Sequence, residues 1–473
     1  MSAIVEQIYT ACLAQGSYFI ESNGEAAVID PLRESEPYIR RAKERGVKIK
    51  YIFETHFHAD FVSGHIDLAK KTGAKIVYGP NAHTDFEKIE AADGQIFIVG
   101  GLSIEVIHTP GHTPESTCYL LRDEEGKQHS MFTGDTLFIG DVGRPDLAQK
   151  ATNLTQEDLA GWLYDSLRNK IMPLDDHLII YPAHGAGSAC GKNMSSETSS
   201  TLGEQKATNY ALRADMSRSE FIEEVTDGLL APPQYFSKNA ALNKKGYNSI
   251  DEVMKKGLTA LSVDDFEVLS ADLDTLILDV RSKEDFGKGF IPGSIFIGLD
   301  GSFAPWVGAL IEKLDQKLLL VAPKGREAET VRRLARVGYD NALGYIDGGV
   351  EAWKAAGKEL HNIHTISLEV FHEDTGNDHH VTIVDVRKPG EYEATHLKNS
   401  INYPLDFINS STLKLDKKTK IHLHCRSGYR STVASSILKS RGYDHLVNVQ
   451  AAFEDLKTSS IGLEGNCPSL TDA

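Results

Sequence analysis

Cysteine is scarce in this chain. The five present, Cys12, Cys118, Cys190, Cys425 and Cys467, are odd in number, scattered and never spaced as Cys-x-x-Cys. That excludes a disulfide framework and leaves each to be judged as a free thiol. Long apolar runs are missing too: none approaches the ~20 residues of a membrane-spanning helix. The opening Met1-Ser2-Ala3-Ile4-Val5-Glu6 lacks the charged and apolar regions of a secretory signal, so the expected location is cytoplasmic. Positive charge is in deficit, with 50 Lys and Arg against 67 Asp and Glu and a formal charge of −17. This argues against a nucleic-acid or anionic-membrane role. What remains is the composition of a folded chain, 41% hydrophobic and 25% charged, too apolar for extensive disorder. A length of 473 residues suggests roughly three domains.

One stretch organises the rest. The apolar run Lys50-Tyr51-Ile52-Phe53 reads as a strand, and Glu54-Thr55-His56-Phe57-His58-Ala59-Asp60-Phe61 leaves it as a loop. Two histidines and an aspartate at alternating positions can converge on one divalent metal. Partners follow in Thr109-Pro110-Gly111-His112, in Phe132-Thr133-Gly134-Asp135 and in Ile179-Ile180-Tyr181-Pro182-Ala183-His184. A lone His-x-His is most often a surface pair, but four such segments in order resemble the metallo-β-lactamase superfamily. The resemblance implies an αββα sandwich over residues 1–235. Strand text at 26–31, 51–53, 76–78, 95–99, 102–107, 117–121 and 130–132, with helices at 36–46, 157–170 and within 203–230, fits that expectation.

The pattern breaks at Pro232-Pro233, and 236–264 is expected to be a linker. Beyond it the chain repeats itself. Leu276-Ile277-Leu278-Asp279-Val280-Arg281 returns as Thr382-Ile383-Val384-Asp385-Val386-Arg387, and Val337-Gly338-Tyr339-Asp340 as Arg441-Gly442-Tyr443-Asp444. A period of about 100 residues exceeds the solenoid range and predicts two tandem α/β domains, 265–362 and 363–473. Asp-x-Arg after a strand resembles the rhodanese family of sulfurtransferases. The decisive loop is His424-Cys425-Arg426-Ser427-Gly428-Tyr429-Arg430-Ser431. Its successive N–H groups at a helix start, with Arg426 and Arg430, make an anion nest that favours a thiolate and a Cys-persulfide. The loop is similar to the rhodanese active loop. Phosphatases share a Cys-x5-Arg spacing, but the neighbouring segments favour sulfur. In the first repeat Ala322 falls where Cys425 stands, so no persulfide can form there.

Superfamily hydrolases place two metals, on His56, His58 and His112 and on Asp60, the residue after it and His184, bridged by Asp135. Here the residue after Asp60 is Phe61, which cannot ligate. The departure turns the resemblance toward the persulfide dioxygenases. These imply one Fe(II) per chain on His56, His112 and Asp135, with open positions for dioxygen and a substrate sulfur. His58, Asp60 and His184 would then orient ligands. Arg144 and Asp146, in a Gly-Arg-x-Asp stretch like that of the same enzymes, would pair beside the metal or meet substrate, or else form a salt bridge that only fixes the loop. Cys190, after a glycine-rich run, is placed near the mouth of the site, with a small buried core cysteine as the other reading.

The whole resembles a Cst-type fusion of a persulfide dioxygenase with an inactive and then an active rhodanese. It implies oxidation of a low-molecular-weight thiol persulfide by O2 to sulfite, then sulfur transfer through Cys425 to give thiosulfate. It also implies a homo-oligomer, a dimer or a tetramer. The carrier thiol stays open among coenzyme A, bacillithiol, cysteine and glutathione. Two rival readings remain: a zinc-dependent glyoxalase-type thioester hydrolase with rhodanese domains, and a non-enzymatic sulfur relay or sensor.

Overall fold

The computed structural model describes residues 4–148, 153–229, 231–377, 381–458 and 461–465; Cys467 lies outside them. Two compact units result, 1–252 with 334–338, and 253–333 with 339–473.

The first unit holds two six-stranded sheets. One orders β1 (Ile4–Thr10), β2 (Gln15–Ser22), β3 (Glu25–Ile29), β4 (Lys48–Glu54), β5 (Lys75–Tyr78) and β6 (Ile89–Glu90) in sequence. The other contains β7 (Ile96–Val99), β8 (Leu102–His108), β9 (Thr117–Arg122), β10 (Gln128–Gly134), β11 (Ile179–Pro182) and β12 (Ser200–Thr201), again each beside the next. Burial follows strand position. Edge strand β7 alternates exposed Ile96 and Ile98 with buried Phe97 and Val99, the period of a strand with one face on a core. Central β3 buries Ala26 through Ile29 without alternation, because both of its faces are covered.

Three apolar layers stack across the unit. Between the sheets lie Tyr18, Ile29, Phe53, Val77, Phe97, Ile104, Tyr119 and Phe132. On the outer face of the first sheet, Tyr38, Ala42 and Leu68 of helices Glu36–Arg45 and His65–Thr72 pack on Phe19, Val28 and Ile52. On the outer face of the second, Ala160 and Leu163 of helix Gln156–Ser166 and Phe221 of Arg218–Thr226 cover this sheet, packed with Leu120, Met131 and Ile180. This is the αββα sandwich. Helix Gln156–Ser166 opens on a capping box of Thr155 and Asp158. It then continues as a wider turn over Leu167–Ile171, where the reading as one helix to 170 missed the change of winding.

The stretch 236–264 is more structured than a linker. It forms helices Phe236–Lys245 and Ile250–Gly257 and a short strand, β13 (Ala260–Leu261). The first helix is tied to the loop after β4, as described below.

The second unit contains the repeat. In its first copy the parallel sheet orders β13, β17 (Ala342–Ile346), β16 (Lys317–Val321), β14 (Thr275–Asp279) and β15 (Ile295–Phe296). In its second copy, β18 (His364–Ile366), β23 (Leu446–Val449), β22 (Ile421–His424), β19 (Thr382–Asp385) and β21 (Ile401–Asn402) take the same places. Register fixes the correspondence. Asp279 pairs with Val321 and Asp385 with His424, so the next residues, Ala322 and Cys425, are equivalent.

Candidate metal centre and sulfur loop

The four metal-capable segments leave the carboxyl ends of β4, β8, β10 and β11, and the sandwich brings them together. Ligand atoms of His56, His112 and Asp135 lie within 4.8 Å of one another, all buried. The hydrogen bonds around them set the tautomers. The Thr55 hydroxyl donates its one proton to Asp30 Oδ2 (2.8 Å), so its lone pair accepts from His56 Nδ1 at 2.9 Å. A backbone carbonyl can only accept, so His112 Nδ1 donates to Arg144 O (2.8 Å). Each ring thus presents a bare Nε2, and both face Asp135 Oδ2, at 3.8 and 3.5 Å. Burial, with the neighbouring His58, His112 and His184, holds the His56 pKa well below the usual histidine range, so that ring is neutral. Neither Asp135 oxygen has a hydrogen-bond partner. Two bare imidazole nitrogens and a buried carboxylate without a donor fit a divalent cation.

A second group lies alongside. His184 Nε2 sits 3.5 Å from Asp60 Oδ2 and 3.5 Å from Asp135 Oδ1, and ligand atoms of His58, Asp60 and His184 also fall within 4.8 Å of one another. Phe61 is fully buried, its ring 4.4 Å from that of His58. His58 Nε2 turns toward Asp30 Oδ1 (3.1 Å) and Glu54 Oε2 (3.6 Å). Burial disfavours a charged ring there, but Asp30, Glu54 and Asp60 outweigh it and raise the His58 pKa to about 9. Burial, then the Asp30 charge, pushes Glu54 up. Cys190 is buried with its sulfur in the group formed with Asp135 and His184, and burial, then Asp60 and Asp135, raises its thiol pKa well above the ordinary value. Arg144 grips Asp146 with two bonds, 2.6 and 2.7 Å, and its N–H donates to Cys190 O (3.0 Å). This pair therefore fixes the loop that supplies the His112 acceptor.

Several supporting residues escaped the sequence reading. Asp30, held at φ 48°, binds both the N–H and the hydroxyl of Thr55 at 2.8 Å. Ser63 Oγ donates to Glu54 Oε1 (2.6 Å). Asn243, on the helix within the expected linker, donates to His58 O and Phe61 O at 2.8 Å and accepts from Ser63 N at 2.9 Å. At Gly143 a Cβ would lie 2.0 Å from Asp135 O and 2.9 Å from His112 Nδ1, so only glycine lets this loop pass behind two of the three ligands.

In the second unit, Cys425 follows β22 and is 1% exposed. The Gly428 N–H donates to its sulfur at 3.1 Å, and Ser431 Oγ lies 3.7 Å away. Gly428 adopts φ 84° as the cap of helix Tyr429–Ser440, a conformation natural to glycine. The structure separates the two loop arginines. Arg426 is exposed, whereas Arg430 is held by Glu391 through bonds of 2.6 and 2.9 Å. The Asp-x-Arg signature is a brace, buried in the second copy and half-buried at Arg281 in the first: Arg387 binds Asp385 (2.6 Å) and Thr395 O (2.8 Å), as Arg281 binds Asp279 (2.6 Å) and Gly289 O (2.8 Å). Phe453, which the strand register aligns with Val350 of the other copy, stacks on Arg387 at 3.4 Å and on His424 at 5.7 Å. Of the remaining thiols, Cys118 is buried in the core and burial raises its pKa to about 11, whereas Cys12 is half-buried rather than core.

Comparison with known proteins agrees with this fold. The family model of the metallo-beta-lactamase superfamily matches residues 12–184, and that of rhodanese-like domains matches 262–356 and 367–459. The human mitochondrial persulfide dioxygenase ETHE1 is 31% identical over 219 residues, 44% of this chain and 74% of its own length. The hydroxyacylglutathione hydrolase GloC of Haemophilus influenzae is 29% identical over 205 residues, 39% of this chain and 91% of its own. A crystal structure of a metallo-beta-lactamase from Staphylococcus aureus superposes with a TM-score of 0.63 at 32% identity, covering 73% of this chain and 98% of that one. The chain thus belongs to the metallo-beta-lactamase superfamily, with two rhodanese-like domains following on the same polypeptide.

Proposed function

We propose that the chain oxidises a low-molecular-weight thiol persulfide with O2 to sulfite and free thiol, using one ferrous ion on His56, His112 and Asp135, and that Cys425 transfers sulfane sulfur to sulfite. The observation that carries this reading is the two-histidine, one-carboxylate triad with both Nε2 atoms bare. Phe61, packed on His58, supplies no donor for a second ion. Bound there, ferrous iron supplies the open positions and the electrons that dioxygen activation requires. The residues of the chain hold the site for it. Thr55 and the Arg144 carbonyl lock the two rings, and the Arg144–Asp146 pair keeps that carbonyl in place. Overall, RSSH, O2 and water give RSH, sulfite and two protons.

At Cys425, the thiolate attacks the outer sulfur of a second RSSH, forming the Cys-persulfide bond, breaking the RS–S bond and releasing RSH; sulfite then attacks the outer sulfur of that Cys-persulfide. A bond forms between the two sulfurs of thiosulfate, the persulfide bond breaks, and the cysteine leaves as thiolate, received by the Gly428 N–H. The test is product analysis with a thiol persulfide under O2. In a Cys425→Ser variant oxygen uptake stays within about twofold, while thiosulfate gives way to sulfite. Loss of oxygen uptake in that variant would contradict two separate sites.

A second reading is favoured by one observation. His58, Asp60 and His184 still form a metal-capable group, as a two-zinc thioester hydrolase would need. Cleavage of a glutathione or coenzyme A thioester by zinc-loaded protein is its signature.

A further inference from the structure

The first rhodanese copy has Ala322 in place of a nucleophile, yet it touches the second copy at the cysteine loop. Lys283, at the start of helix Lys283–Lys288, donates from Nζ to Ser427 O at 2.8 Å. Ser427 C=O and Gly428 N–H are the two ends of one planar peptide, and that N–H donates to Cys425 Sγ at 3.1 Å. A cation on the carbonyl holds the plane and polarises the bond toward the sulfur. The other side of Gly428 is anchored on the same copy. Tyr429 OH donates to Gly298 O (3.1 Å), and its ring lies 5.7 Å from that of Phe296. A Cβ at Gly301 would stand 2.8 Å from the Tyr429 ring, so this face of the first copy is shaped to the tyrosine. Further along the helix, Ser436 Oγ accepts from Phe296 N at 3.0 Å.

We propose that Lys283 is a positioning residue for Cys425: the copy without a nucleophile fixes the peptide whose N–H meets the sulfur of the other copy. This deepens the sulfur-transfer reading by giving the first copy a part in that site. The other charged groups around the loop are Arg426, Arg430 with Glu391, Asp406 near Arg430, the Asp385–Arg387 brace, His424, Arg333 near Tyr429, and Glu284, which lies 3.9 Å from Lys283 Nζ and accepts from Gln450. Lys283→Arg keeps a cation beside Glu284, so the contrast between the two variants reports on the bond to Ser427.

The experiment is peptide-resolved alkylation of Cys425 by iodoacetamide against pH, on the full chain, for wild type, Lys283→Gln and Lys283→Arg. Thermal unfolding is followed on the same samples. The expected result is that Lys283→Gln moves the profile to higher pH and slows alkylation at neutral pH by about tenfold, with Lys283→Arg within about twofold of wild type. The proposal is overturned if the Lys283→Gln profile superimposes on that of wild type, or if Lys283→Arg shifts as far as Lys283→Gln. Alkylation needs no sulfur substrate, so this outcome is independent of the sulfur-transfer reading. That reading is tested separately, by the mass gain of one sulfur on Cys425 when thiosulfate is added.

Discussion

At the scale of single residues, the candidate metal centre depends on groups that cannot ligate. Gly143 shows this most sharply. A Gly143→Ala methyl would meet the Asp135 carbonyl carbon and oxygen and the His112 ring, and the backbone would have to move. Displacing groups that orient metal ligands costs roughly 10- to 100-fold in metal affinity. We expect that loss for iron in Gly143→Ala, read by competition with a chelator, with secondary structure unchanged by circular dichroism. The gathering of these side chains was legible in the sequence, because His-x-His-x-Asp and the three later segments stand at loop positions after apolar strands. Asn243 was not. It lies 185 residues from His58, and an asparagine in a lysine-rich helix carries no mark of a buried partner. Asp30 and Thr55 were equally silent, since Asp30 reads as the tail of the 26–31 strand, whereas the strand ends at Ile29 and Asp30 turns to φ 48°.

At the scale of elements, β22 carries a titrating group beneath the sulfur loop. Burial, with the nearby Arg387 charge and against the pull of Asp385, depresses the His424 pKa to about 4. Unfolded, the same ring titrates near 6.5. Between those values the unfolded chain binds a proton that the folded one refuses, so stability is full above about pH 6.5. It falls by up to about 1.4 kcal/mol per unit as the pH drops toward 4. A His424→Leu variant should flatten that slope. Urea unfolding of the full chain at several pH values, read by protease cleavage within residues 381–458, checks it; an unchanged slope would contradict the assignment. Elements were legible where patterning was strong, as in β3, β7 and the two Asp-x-Arg strands. The helix Phe236–Lys245 was missed because its neighbours Pro232 and Pro233 signal a break, and its few apolar positions gave no clear stripe.

At the scale of the whole molecule, the division into a sandwich and a duplicated α/β unit was readable from the internal repeat. The strand register then confirmed that Ala322 and Cys425 are equivalent. The sequence could not reveal the docking of one copy on the cysteine loop of the other, because Lys283 stands beside Glu284 in a common helix-opening pattern. The most direct test of the account is metal content and oxygen uptake on one sample, reconstituted with iron or with zinc and given thiol persulfides. The account predicts about one iron per chain, oxygen consumed only by the iron form, and sulfite or thiosulfate as product. Two zinc ions per chain, thioester cleavage and no oxygen uptake would contradict it.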